Sequence, residues 1–263
     1  MKLVWVTDPH LSFLKRGGAK LFGKAVREEH ANLDAVVVTG DIGEYDNFDE
    51  HIERFAEGAA APVWFVLGNH DAYGGSVERA QKKAAAMSGL ARWLPAQEPL
   101  PLGSESVLVG HDGFYDARHG LGGASSVFMS DFMYIDELKG GGPTLVERVQ
   151  TLADTAATEA SLLLDRAIAK GPRRVVFATH VPPFPEAAWH EGAISDANWL
   201  PWMCSKVMGD VLLAKSAAHP HIQFEVLCGH THGSGTATLA ANLVVRTGDS
   251  EYRFPRVCGT LEI

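Results

Sequence analysis

The chain has 263 residues, of which 46% are hydrophobic and 21% are charged, and its formal net charge is -9 at pH 7. This usage is typical of a globular protein with a sizeable core, and a mean hydropathy of -0.02 argues against a membrane-spanning segment of roughly 20 apolar residues. The acidic balance disfavours an extended surface for nucleic acid or anionic membranes, because such surfaces need clustered Lys and Arg.

The start of the chain and its cysteines bear on the cellular compartment. The first ten residues contain no basic region followed by a long apolar stretch, so a cytoplasmic protein is expected. The three cysteines, Cys204, Cys228 and Cys258, are widely spaced and form no C-x-x-C pair. This spacing argues against a disulfide framework or a thiolate zinc site and favours small buried side chains.

A short apolar run that stops at Thr or Gly and is followed at once by Asp, Asn or His occurs five times. The runs are residues 3–7 before Asp8, 35–40 before Asp41, 63–68 before Asn69, 175–179 before His180, and 224–229 before His230. Continuous apolar runs of this length are typical of strands that are buried on both faces. Polar residues at the carboxyl ends of such strands meet at one edge of a sheet, where ligands bind in open α/β folds.

The first half of the chain alternates between strand and helix signals. Residues 19–33 and 47–60 have helix-forming composition, which predicts a β-α-β-α-β opening with right-handed crossovers. A further helix is predicted over residues 75–89 and a further strand over residues 107–109. Residues 111–143 are Gly-rich and irregular, and a loop of this length suggests function or mobility.

The second half begins with a long predicted helix. Thr144 and Glu147 form a capping-box signal at its start, and Gly171 and Pro172 supply the stop. The segment from residue 182 to 201 is rich in Pro and Trp and has no clear period. Strands are then predicted at residues 236–239, 242–246 and 256–263, and these favour a second, more antiparallel sheet.

No linker or composition shift marks a domain boundary. The chain is therefore predicted to be one domain over residues 1–263, with candidate lid segments at about residues 111–143 and 182–202.

The polar residues after the strands form an ordered set. The set consists of Asp8-x-His10, Gly40-Asp41, Gly68-Asn69-His70-Asp71, His180 and Gly229-His230-x-His232. It resembles the five motifs of the calcineurin-like metallophosphoesterase superfamily, in the same order, over residues 8–232. The resemblance implies an α/β fold in four layers (αββα), in which a β-sandwich of mixed sheets is flanked by helices.

The resemblance also implies two metal sites. One metal would be bound by Asp8, His10, Asp41 and His232, and the other by Asp41, Asn69, His180 and His230, so that Asp41 bridges the two. Carboxylate, amide oxygen and imidazole form a mixed oxygen and nitrogen set that suits Mn, Fe or Zn. We expect two divalent ions, or Fe paired with a divalent ion, with Mn favoured.

Two further roles follow from the same motifs. His70 resembles the family's catalytic histidine, which protonates the leaving oxygen or stabilises the transition state. Asp71, its neighbour in sequence, is predicted to orient His70 and raise its basicity. A hydroxide that bridges the two metals would be the nucleophile, because a water between such ions loses a proton near neutral pH.

Candidate substrate contacts are His111, Arg118 and His119. His111 follows an apolar run, and the other two lie in the long loop, from which Arg118 could pair with a phosphate. The alternative is that all three are ordinary loop residues. Three tryptophans, Trp189, Trp199 and Trp202, could stack on an aromatic group of the substrate or pack a lid against the domain.

The motifs predict a metal-dependent hydrolase of phosphate esters, with a phosphodiesterase for a small-molecule or nucleotide substrate favoured. A phosphomonoesterase and a protein Ser/Thr phosphatase are alternatives of the same class. A non-catalytic metal-binding scaffold is the alternative of a different class, and the presence of every motif residue, including His70, favours the enzyme. The sequence leaves the oligomeric state open.

Overall fold

The first half of the chain forms a five-stranded sheet. The computed structural model describes residues 1–140 and 144–263. Strands β1 (Lys2–Val6), β2 (Ala35–Thr39), β3 (Val63–Val66) and β4 (Ala91–Trp93) run parallel, and the chain passes between them through helices α1 (Gly18–Glu29), α2 (Phe48–Ala59) and α3 (Val77–Ala85). The last strand of the chain, β13 (Gly259–Glu262), pairs antiparallel with β1. The predicted β-α-β-α-β opening is confirmed.

The second sheet has six strands. Its members are β5 (Leu100–Leu102), β6 (Ser106–Gly110), β7 (Arg174–Ala178), β10 (Gln223–Cys228), β11 (Gly235–Ala240) and β12 (Leu243–Thr247). Their order in the sheet is β11-β12-β10-β7-β6-β5. The pairs β6–β7, β7–β10 and β10–β12 are parallel, and only the two edge pairs are antiparallel. Four of its strands therefore end at one common edge.

Alternate residues of each strand face different layers, which explains the continuous apolar runs. Leu3 and Trp5 lie in a cluster between the two sheets, whereas Val4 and Val6 pack against the helices outside the first sheet. On the other side, α5 (Thr144–Ile168) and α7 (Lys206–Ala218) cover the second sheet. The result is the predicted four-layer αββα arrangement of mixed sheets flanked by helices.

Several predicted bounds need correction. The helices end earlier than predicted, at Glu29 and Ala85 for α1 and α3. The predicted strand at residues 256–263 does not extend the second sheet but joins the first as β13, and the second sheet is antiparallel only at its edges. Helix α5 begins at Thr144, and the three residues before its start lie outside the described residues.

Two irregular segments lie beside the common strand edge. They contain the short helices α4 (Asp131–Tyr134) and α6 (Leu200–Met203) and a small hairpin of β8 (Trp189–His190) and β9 (Ala193–Ile194). We call residues 111–140 and 182–202 together the cover. They cover the same residues as the candidate lid segments, except that residues 141–143 of the first are not described, and movement as a lid stays a prediction. None of the described helices combines the length and the hydrophobicity needed to cross a membrane.

The two segments of the cover are joined to each other by hydrogen bonds. The Leu121 backbone N–H donates to the Ala197 carbonyl at 2.7 Å, and the Ser126 N–H donates to the Asn198 side-chain oxygen at 2.9 Å. The Trp202 indole N–H donates to the Ser125 hydroxyl at 2.9 Å. The segments are far apart in sequence but form one layer over the strand edge.

Candidate metal centre

The predicted ligands leave their strands with an unusual backbone. A left-handed φ is found at Asp8 (44°), His10 (42°), Asp41 (52°), His230 (69°) and His232 (56°). Such a φ is uncommon for residues other than glycine, although Asp, Asn and His tolerate it best. Each instance costs roughly 1 kcal/mol or more and persists where the surrounding structure imposes it. Strain that recurs at the predicted ligands is typical of a functional site.

Glycines beside the ligands permit close packing of the strand ends. A Cβ atom added to Gly68 would lie 2.1 Å from Asp41 Oδ1, and one added to Gly229 would lie 2.0 Å from Asp8 Oδ2. Both distances are far below contact distance, so a side chain at either position would displace a predicted ligand.

A first group of donor atoms comes from four predicted ligands. One donor atom from each of Asp8, His10, Asp41 and His232 lies within 4.8 Å of all the others. The Nε2 atoms of His10 and His232 are 3.1 Å apart. Burial lowers the pKa of His10 to about 3, although the Asp8 carboxylate raises it. His10 is therefore neutral near pH 7 and offers a lone pair, which is the form that binds a metal.

A second group centres on the side-chain oxygen of Asn69. This Oδ1 atom is 3.0 Å from both His180 Nε2 and His230 Nδ1. The other nitrogen of each ring contacts a backbone carbonyl, that of Thr39 for His180 and that of Trp202 for His230, at 2.8 Å in both cases. Because a carbonyl only accepts, these outer nitrogens carry the protons of the neutral rings. The two inner nitrogens and Oδ1 therefore present lone pairs to one another, an arrangement that a cation would stabilise.

Asp41 lies between the two groups. Its Oδ2 atom is 3.9 Å from His10 Nε2, and its Oδ1 atom is 3.4 Å from His180 Nε2. Burial raises the pKa of the Asp41 carboxyl well above its usual range, and the neighbouring carboxylates of Asp8 and Asp71 raise it further. The raised pKa means that burial favours the neutral carboxyl of Asp41, and two metal ions would stabilise its carboxylate form instead. The donor set of this structure therefore fits the implied dinuclear centre.

A buried carboxylate that sequence reasoning missed holds Asn69 in place. Asp131 is fully buried in α4 and accepts a hydrogen bond from Asn69 Nδ2 at 3.0 Å. The hydroxyls of Tyr73 and Tyr115 also donate to it. These contacts determine which end of the Asn69 amide faces the histidines. No periodic pattern or strand end pointed to Asp131.

His70 lies at the boundary between the first group and open space. Its ring stacks on Tyr73 with centroids 4.2 Å apart, and its Nε2 atom is 3.9 Å from Asp41 Oδ2. The side chain is 19% exposed, and its ring makes no hydrogen bond within the described part of the chain. Burial lowers the pKa of His70 to about 4. The imidazole is thus neutral near pH 7, and one edge of the ring faces the cavity.

The predicted role of Asp71 needs correction. Its Oδ1 atom accepts hydrogen bonds from the backbone N–H groups of Ile42 and Gly43, and its Oδ2 atom accepts one from Gly68. The carboxylate is fully buried and has no hydrogen bond to His70 in the described structure. Asp71 therefore ties the loops after β2 and β3 together rather than orienting the histidine beside it.

A cavity of about 610 Å³ opens beside the predicted ligands. The predicted substrate contacts His111, Arg118 and His119 are not among the described residues that line it. His111 Nε2 is 2.9 Å from Glu159 Oε2, and the Arg118 guanidinium is paired with Asp154 at 2.8 and 2.9 Å. These partners occupy the polar atoms of both side chains. Substrate contact by the three residues stays a prediction that the geometry does not support.

The cavity lining contains further residues that sequence reasoning missed, and two of them, His190 and Tyr252, carry polar ring atoms. Tyr252 stacks on His10 with ring centroids 4.4 Å apart. It lies in the loop after β12. Because β12 runs parallel to β10, this loop begins at the same edge of the sheet as the predicted ligands. A sequence prediction that placed β12 parallel would have located Tyr252 at this edge. His190 follows no buried strand, and its Nδ1 atom donates to the Thr231 carbonyl at 2.9 Å.

The fold and the strand edge define a class of protein. A four-layer sandwich with clustered aspartate, asparagine and histidine donors at the strand ends is the architecture of the metallophosphoesterases. A sequence model of the calcineurin-like phosphoesterase family matches residues 1–234, and the chain belongs to this family. No curated protein matches the sequence significantly.

Solved structures agree in fold at low sequence identity. A phosphopantetheinyl hydrolase from Mycobacterium tuberculosis superposes with a TM-score of 0.67 at 14% identity, covering 96% of this chain and 90% of that one. A dimetal phosphatase from Danio rerio gives 0.58 at 16% identity, with coverages of 99% and 91%. The protein TT1561 of Thermus thermophilus gives 0.54 at 14% identity, with coverages of 94% and 88%.

Proposed function

We propose that this chain is a dinuclear metal-dependent phosphodiesterase that hydrolyses a small-molecule or nucleotide substrate. The observation that carries the proposal is the convergence of the unprotonated ring nitrogens of His180 and His230 on the side-chain oxygen of Asn69, beside Asp41. Lone pairs that face one another without a proton between them are unfavourable unless a cation joins them. Family membership supports phosphate-ester hydrolysis as the chemistry.

The two groups of donors divide between two ions in this proposal. Asp8, His10, Asp41 and His232 would hold one ion, and Asp41, Asn69, His180 and His230 would hold the other. The mixed oxygen and nitrogen donors favour Mn, with Fe or Zn as the other candidates. When bound, such ions supply Lewis acidity toward phosphoryl oxygens and lower the pKa of a water toward 7.

His70 is the proposed hydrogen-bond donor to the leaving oxygen. Its ring faces the cavity with no competing hydrogen bond from the described residues, and stacking on Tyr73 holds the ring plane. In the tautomer that carries the proton on Nε2, the neutral imidazole can donate a hydrogen bond to the ester oxygen and stabilise the negative charge that develops there as the bond to phosphorus breaks. One positioned donor of this kind contributes typically about 10²–10³-fold to the rate.

The preference for a diester is inferred from the size of the cavity. The cavity of about 610 Å³ extends from the predicted ligands to the cover and leaves room for a second ester group. Two proteins of similar fold are described as a phosphopantetheinyl hydrolase and a dimetal phosphatase, which supports hydrolysis of phosphate groups without naming this substrate.

The test combines metal analysis with turnover. Chelator-treated protein is reloaded with Mn, its metal content is measured by mass spectrometry, and release of p-nitrophenol is followed from bis-p-nitrophenyl phosphate and p-nitrophenyl phosphate. We expect two ions per chain and a higher kcat/KM for the diester. Two bound ions without turnover of either compound would favour the non-catalytic scaffold, and a preference for the monoester would overturn the diesterase assignment.

A further inference from the structure

One wall of the cavity is apolar and comes mainly from the cover. Phe128, Ile194 and Trp199 line the cavity, and they remain 67%, 39% and 45% exposed. Met129 of the cover and Met203, the residue that directly follows it, also line the cavity. Large apolar side chains that stay exposed beside a polar site are typical of a surface that contacts an apolar part of a ligand.

The same cavity has no permanent cation among the described residues that line it. Its ionisable side chains are two carboxylates, four imidazoles and two phenols. They belong to Asp41, Asp196, His70, His190, His230, His232, Tyr73 and Tyr252. Phosphate groups held without a metal are usually bound by Arg or Lys. A second phosphate on the substrate would therefore have no cationic partner from this wall and would face the Asp196 carboxylate.

The apolar wall is held in place by hydrogen bonds. The Asp196 side chain accepts from the backbone N–H groups of Asn198 and Trp199, at 2.8 and 3.0 Å. The Ser125 hydroxyl donates to the Asn198 carbonyl at 2.6 Å, which joins the Trp199 segment to the segment that carries Phe128. A surface ordered before binding gives up less conformational entropy when a ligand packs against it.

We propose that the substrate is a phosphate ester with a single phosphoryl group whose second ester group is aromatic or apolar and packs against Trp199, Phe128 and Ile194. Polyphosphates and oligonucleotides are disfavoured, because each adds negative charge where the wall offers only apolar contacts and Asp196. This inference rests on the proposed phosphodiesterase function and specifies its substrate class. An aromatic ring on Trp199 gains both buried area and favourable ring geometry.

Two diesters with the same leaving group test the wall. Phenyl p-nitrophenyl phosphate and methyl p-nitrophenyl phosphate differ only in the group that is retained, and the ratio of their kcat/KM values is measured with Mn-loaded enzyme. Intrinsic reactivity is the same for every variant, so a change in this ratio reports on the cavity alone. We expect Trp199→Ala and Phe128→Ala each to lower the ratio about five- to tenfold.

The matched control is Phe254→Ala, because Phe254 is 63% exposed and lies outside the cavity lining. Its ratio should equal that of the unaltered enzyme. Phe128→Ala changes an exposed side chain and keeps the test decisive if Trp199→Ala fails to fold. An unchanged ratio in Phe128→Ala, or an equal fall in the control, would overturn the proposed wall.

A second pair of substrates tests the charge. The p-nitrophenyl ester of thymidine 5′-monophosphate is compared with the γ-p-nitrophenyl ester of thymidine 5′-triphosphate, with Mn in excess over both. We expect kcat/KM to be at least about tenfold lower for the triphosphate, and equal values would refute the single-phosphoryl preference. Absence of metal-dependent turnover of every ester would instead refute the proposed function, so the two failures are distinguishable.

Discussion

The strand edge and the cover differ in the side chains they present and in how these are held. At the strand edge, buried polar atoms follow β-strands directly, and several stand on a left-handed backbone. In the cover, half-exposed apolar side chains stand on irregular segments that are joined through Asn198, Ser125 and Ser126. The strand edge therefore holds the proposed metal ligands, whereas the cover holds the apolar surface that a substrate's organic group would meet in the proposed function.

The strand edge itself contains two kinds of carboxylate. Both oxygens of Asp41 face histidine ring nitrogens, although Oδ1 also accepts a hydrogen bond from the His70 N–H group. The oxygens of Asp71 and Asp112 are instead used as acceptors for neighbouring N–H groups. Position after a strand is therefore not sufficient to identify a metal ligand. What separates the two kinds is the direction of the carboxylate oxygens.

Among the variants at the strand edge, Asp41→Ala is expected to lower kcat/KM the most. Because both proposed ions would lose a ligand worth several kcal/mol, kcat/KM should fall roughly 10⁴-fold or more. Metal content measured by mass spectrometry should fall below two ions per chain. Asp210→Ala, which removes an exposed carboxylate paired with Lys206 on α7, is the control and should retain both. Two ions retained in Asp41→Ala would remove the bridging role.

His70→Ala separates chemistry from metal binding within the same edge. We expect kcat to fall about 10³-fold, in the range of a lost hydrogen-bond donor to developing negative charge, with metal content unchanged. His221→Ala, an exposed histidine far from the cavity, is the matched control. Full activity in His70→Ala would remove the residue from the mechanism, and a loss of metal would make it a ligand instead.

Asp131→Asn tests whether a residue of the cover orients the side chain of Asn69 at the strand edge. The substitution keeps the size of the side chain but replaces one acceptor by an N–H group, so the Asn69 amide loses part of its orientation. We expect the Mn concentration for half-maximal activity to rise about 10–100-fold. Excess Mn should restore most of the activity, which a general loss of folding would not allow.

Tyr115→Phe is the companion variant of this test. It removes one hydrogen bond to Asp131 Oδ2 but leaves the Asn69 contact intact. Its Mn dependence should therefore shift less than that of Asp131→Asn. Equal shifts in the two variants would assign the effect to packing of the buried phenol rather than to the Asn69 amide.

Asp112→Asn is expected to have the smallest effect on activity and a measurable effect on stability. Burial raises the pKa of the Asp112 carboxyl above its ordinary value of 3.8, although the N–H groups of Leu67, Trp93 and Gln81 lower it. A raised pKa means that the folded state holds this proton more tightly than the unfolded state. The stabilisation is full below the ordinary pKa and is lost as the pH rises through the raised one.

In metal-free protein, the Tm of Asp112→Asn minus the Tm of the unaltered chain should therefore increase from pH 4 to pH 8. The amide retains an oxygen for Leu67 and Trp93, and the Gln81 amide can turn to accept from the new N–H group. A difference in Tm that is constant with pH would show that Asp112 does not titrate in this way.

The strands and the polar residues at their ends could be predicted from the sequence alone, whereas the four layers were implied by the resemblance to the metallophosphoesterase family. Each strand buries both faces, so its run of apolar residues and its polar end are local signals, and Asp8, Asp41, Asn69, His180 and His230 could be placed at one edge without coordinates. Only the tertiary structure showed that Asp131 orients Asn69 from 62 residues away, that Asp71 bonds to backbone N–H groups, and that Arg118 pairs with Asp154. These contacts join irregular segments across the chain, and side-chain direction in such segments follows no period that a sequence displays.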